Sequence, residues 1–66
     1  MFSKEEIDNY RAAVLQAMIT KTDANGNPII EESEAQTLLK GFTDDELSDG
    51  MPFNTADEMA DMLLTD

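Results

Sequence analysis

Apolar residues return at three- and four-residue steps along Ile7, Tyr10, Val14, Ala17 and Met18, with Leu15 and Ile19 widening the stripe. That spacing keeps them on one face of an α-helix and predicts a helix from about Lys4 to about Thr20. Two shorter stripes follow. Ala35, Leu38 and Leu39 mark a second helix that starts near Glu32 and stops before Gly41, a natural site for a left-handed C′ glycine. Met59, Met62 and Leu63 mark a last helix from Ala56 to about Leu64. Between them, Asp44 to Asp49 reads as a short helix closed by Gly50, and "MPFN" reads as a turn because Pro52 has no N–H for a helix interior. The predicted core is Ile7, Val14, Met18, Leu38, Leu39, Leu47, Met59 and Leu63, with methionines, Met62 among them, filling gaps.

Polar residues locate the helix starts independently. Ser3-Lys4-Glu5-Glu6, Thr43-Asp44-Asp45-Glu46 and Thr55-Ala56-Asp57-Glu58 each have the form of a capping box. In that motif a hydroxyl accepts from the N–H three residues on, while the glutamate reaches back to the cap's own N–H. Phe2 with Ile7, and Phe42 with Leu47, occupy the staple positions around the first two. The expected fold is all-α, a small bundle of three to four short helices, in one acidic domain over residues 1–66.

Composition narrows the chemistry. The 66 residues include no cysteine and no histidine, which excludes disulfides and zinc sites of the Cys/His kind. Stability then rests on packing alone, for which about 3–5 kcal/mol is the expectation at this size. Fifteen acids face four bases, Lys4, Arg11, Lys21 and Lys40, for a net charge of −11. From Phe42 to Asp66 there are eight acids and no base. Direct contact with nucleic acid or an anionic membrane is disfavoured, because the cations that neutralise phosphate are missing. Such acidity also suits disorder, but 41% hydrophobic residues at regular spacing argue for a folded chain. No apolar run reaches membrane length, and "MFSKEEIDNY" lacks the basic start and apolar stretch of a signal peptide, so a cytoplasmic protein is expected.

One loop invites a metal. In "DANGNPIIEESE" the oxygen-bearing residues Asp23, Asn25, Asn27, Glu31 and Glu34 occupy the first, third, fifth, ninth and twelfth places, with Ile30 at the eighth. Over these residues the chain resembles the calcium loop of the EF-hand family, which implies a calcium-binding module in which those five residues are ligands. Pro28 stands where that loop needs a positive φ, which proline cannot adopt. Asn25-Gly26 is in itself a strong turn dipeptide, and acids at a helix start complement the helix dipole. A polar interhelical turn without metal is the preferred reading.

No enzyme and no cofactor are expected. Ser3 is placed to cap a helix, and Ser33 and Ser48 stand beside acids with no base to activate them. Neither Glu32-Ser33-Glu34 nor Leu47-Ser48-Asp49 matches the Asp-Ser-Leu motif of acyl carrier proteins. The expected function is a non-enzymatic interaction module whose acidic face meets a basic surface on a partner protein. The candidate contributors are Asp44, Asp45, Glu46, Asp49, Asp57, Glu58 and Asp61, with Met51 and Phe53 as apolar anchors. An alternative is a nucleic-acid mimic, whose carboxylates occupy the phosphate sites of a DNA- or RNA-binding protein. For Phe53 itself, a loop packed down onto the bundle is expected ahead of an exposed anchor.

Overall fold

The computed structural model describes residues 2–65. Four helices follow in order: α1 (Lys4–Thr20), α2 (Glu32–Lys40), α3 (Asp44–Gly50) and α4 (Ala56–Leu64). Among the described residues there is no strand, only an isolated antiparallel bridge between Thr22 and Pro28 across the Asn25-Gly26 turn. No helix among them is long and apolar enough to cross a membrane.

The caps act where their sequence places them. Thr43 and Thr55 form complete capping boxes, with Glu46 and Glu58 accepting from the cap N–H groups at 3.0 and 2.9 Å. At Ser3 the hydroxyl accepts from the Glu6 N–H, but the reach-back goes elsewhere: Ser3 Oγ donates to Glu6 Oε1 at 3.3 Å. Helix ends were less legible. Gly41 has φ −71°, so α2 closes without a left-handed residue. Gly50 is the last residue of α3 rather than the residue beyond it. Its role is close approach, since a Cβ there would lie 2.6 Å from the Met59 methyl.

The long α1 is the hub. It packs against each of the other helices, which meet one another only marginally among the described residues. Val14 and Met18 of α1, Ala35 and Leu39 of α2, and Met59 and Ala60 of α4 form the buried cluster. Ile7 and Leu47 are buried outside it. Leu63 is only partly buried, packed against the cluster's edge. Two expected core residues are not there. Leu38 is 42% exposed beside Leu39 at 3%, because a helix with one neighbour buries one stripe, and Ala35 and Leu39 already occupy it. Met62 is 55% exposed. The inward stripe of α4 is Ala56, Met59, Ala60, Leu63 and Leu64, so Met62 falls outside it.

Candidate interaction groove at the α3–α4 turn

Phe53 is 81% exposed, the most exposed of the large apolar side chains among the described residues. It does not pack the loop down, contrary to the expectation for so small a core. The turn itself holds it out. The Gly50 carbonyl accepts from the Phe53 N–H at 3.0 Å and the Asn54 N–H at 2.9 Å, closing a tight loop around Pro52. Tyr10 then ties that loop to α1, its hydroxyl donating to the Asn54 and Thr55 carbonyls at 3.0 and 3.3 Å. A loop restrained at its base has little backbone entropy left to lose when its aromatic ring is covered.

Beside it lies an open groove of about 660 Å³, lined by Phe2, Asp45, Ser48, Asp49, Pro52 and Phe53. Asp45 and Asp49 are one helical turn apart on α3, and neither makes an ion pair among the described residues. Ser48 Oγ donates to the Asp45 carbonyl at 3.0 Å. The groove therefore joins apolar walls to two carboxylates that have no ion pair among the described residues. Phe2, Ser48 and Pro52 were not legible as members: Phe2 read as a staple, Ser48 as an unassisted hydroxyl, and Pro52 as a turn residue.

The other predicted residues are engaged elsewhere. Asp44 accepts from Arg11 Nη2 at 3.0 Å and lies 3.5 Å from Lys4 Nζ. Arg11 also donates to the Leu39 carbonyl at 2.6 Å and the Phe42 carbonyl at 2.9 Å, so it binds the end of α2 and the start of α3 to α1. Asp57 and Asp61 both hold Lys21, each at 2.9 Å. Glu46 and Glu58 serve as caps, and Met51 is half-buried. Of the nine predicted contributors, only Asp45, Asp49 and Phe53 come together in the groove.

The loop that resembles a calcium site folds on its own carboxylate. Asp23 Oδ1 accepts from the Asn25 N–H at 2.8 Å and the Asn27 N–H at 3.1 Å. The Asp23 N–H donates to the Asn27 carbonyl at 2.8 Å, and Gly26 supplies the positive φ of 84° that the turn needs. Glu31 and Glu34 sit at the exposed start of α2. Among the described residues no group of three or more acids, histidines or cysteines is arranged to hold a metal ion.

The braces set a pH window. Asp44 is held below its ordinary value of 3.8, chiefly by the Arg11 hydrogen bond. A carboxylate depressed on folding contributes stability that is whole above 3.8 and is lost as pH falls through the lower folded value. Lys21 is raised above 10.5, first by its hydrogen bond to Asp61 and then by that to Asp57. Its contribution is whole below 10.5 and is lost as pH rises through the raised value. Tyr10, raised above 10.0 mainly by burial and then by Glu58, adds to the same alkaline limb. Thermal melts by circular dichroism are expected to stay nearly level from neutral to about pH 5, where a chain without histidine changes charge little, and to rise towards about pH 4 as protonated acids relax self-repulsion. They should fall only below 3.8 and above 10.0. A loss setting in near neutrality would contradict these braces.

Compared with family models, curated proteins and solved structures, the chain matches none.

Proposed function

We propose that this protein is a non-enzymatic interaction module that docks a basic partner surface onto the groove beside Phe53. The observation that carries this reading is an aromatic side chain 81% exposed on a braced turn, next to Asp45 and Asp49, whose carboxylates make no ion pair among the described residues. Binding hot spots are enriched in aromatic residues, ringed by polar groups that steer encounter and fix register. Supporting it, three of the four bases are engaged with acids of the same chain, and among the described residues none pairs with the groove's carboxylates.

The test is affinity capture from native extract at low and then high salt, followed by titration of the captured protein against variants. Phe53→Ala is expected to weaken binding by about thirtyfold through faster dissociation, the scale of one buried aromatic anchor. Asp45→Asn with Asp49→Asn is expected to slow association and flatten its salt dependence. Competition with duplex DNA separates phosphate mimicry from a general docking role. Salt-insensitive binding, or full binding by Phe53→Ala, would remove this groove from the function.

A further inference from the structure

The outer face of α2 is a second uncovered surface. Ile30, Ser33, Glu34, Thr37 and Leu38 line a shallow groove of about 360 Å³. On α2, Glu34 and Leu38 are four residues apart, as are Ser33 and Thr37, while Ile30 lines the groove from the loop just before the helix. Two such rows form ridges along a helix, and the furrow between them has the shape that accepts a ridge of another helix. The furrow is largely apolar. Leu38 is 42% exposed, Ile30 is half-buried against the core, and Ile29, just before it in the chain, is 48% exposed. Thr37 Oγ1 donates to the Ser33 carbonyl at 2.9 Å, so that hydroxyl requires no outside partner.

Charge decides what covers this face. Glu31, Glu32 and Glu34 are exposed and make no ion pair among the described residues. A second copy of the chain is opposed by the charge of −11 on each body, which the single base of α2, Lys40, does not offset. A helix with basic flanks meets the opposite condition. We infer that α2 receives an amphipathic helix from another protein, with aliphatic residues at three- and four-residue spacing and Lys or Arg along its flanks. This surface shares no lining residue with the groove beside Phe53, so the inference stands independently of the function proposed there.

The probe is a synthetic Leu/Lys peptide of about 14 residues, four helical turns, patterned to be amphipathic. A scrambled peptide of the same composition, which has no apolar face, serves as the control. Amide shifts are expected to saturate with the amphipathic peptide and to centre on Ile29 to Leu39. The scrambled peptide should give weak, unsaturated shifts spread over the acidic positions. Leu38→Ser, checked for folding by circular dichroism, is expected to weaken binding by about tenfold, the scale of one leucine's burial. Phe53→Ala should leave it unchanged. Equal binding of the scrambled peptide, saturable shifts centred on Asp45 to Phe53, or undiminished affinity in Leu38→Ser would each overturn the inference.

Discussion

Leu39→Ala is expected to take away most of the protein's stability, whereas the same change at the adjacent Leu38 is expected to leave the fold intact. Leu39 is 3% exposed and belongs to the cluster joining α1, α2 and α4. Truncating a buried leucine costs about 2–5 kcal/mol, because transfer energy is lost and the cavity closes only in part. Against a total of about 3–5 kcal/mol for a domain without staples, a loss in the middle of that range removes most of the margin and leaves a substantial unfolded fraction at room temperature. Leu38, on the open side of α2, should cost less than about 1 kcal/mol, and alanine's helix propensity offsets part of it. Urea denaturation of the two variants measures both values. Equal losses would mean that α2 is rotated from the position described here.

Arg11→Ala is the second large effect expected. The guanidinium is the one side chain that joins α1 to both the end of α2 and the start of α3, through the Leu39 and Phe42 carbonyls and the Asp44 carboxylate. Its side chain is 27% exposed, so these bonds are partly shielded from water. Removing charge-assisted donors from two carbonyls costs about 2–3 kcal/mol, roughly half of the available stability. Arg11→Lys should recover only part of it, because an ammonium cannot reproduce the planar fork that reaches all three acceptors. A urea midpoint in Arg11→Ala equal to that of the unaltered protein would refute this role. The variant also bears on function, since Arg11 holds the start of the helix that carries Asp45 and Asp49.

The contrast between these two sites shows what was legible in the sequence. Helix starts were readable at Thr43 and Thr55 because a cap is local chemistry within four residues. The buried stripe of α1 was readable because that helix is long and has neighbours on several sides. Leu38 was not, since periodicity marks an apolar position without saying how many partners the helix will have. Arg11 was hidden for a related reason: its acceptors lie 28 to 33 residues away in the chain and meet it only after α2 and α3 have packed. Asp44 looked like its neighbour Asp45 in sequence, yet among the described residues folding pairs one and not the other. Phe53 was legible as a candidate anchor but its exposure was not, because Pro52 marks a turn without saying which way the next side chain faces.

The central claim is that Phe53 and its flanking carboxylates form the contact with a basic partner, and photo-crosslinking tests it most directly. A photoreactive benzoyl-phenylalanine at position 53 keeps the aromatic anchor, and the same group at the exposed Gln16 controls for random encounter. Irradiation in native extract is expected to give a discrete adduct with a basic protein from position 53 and none from position 16. Excess unlabelled protein should compete that adduct away, while the Asp45→Asn, Asp49→Asn variant should compete poorly. An adduct pattern from position 53 no different from that at position 16 would contradict the account.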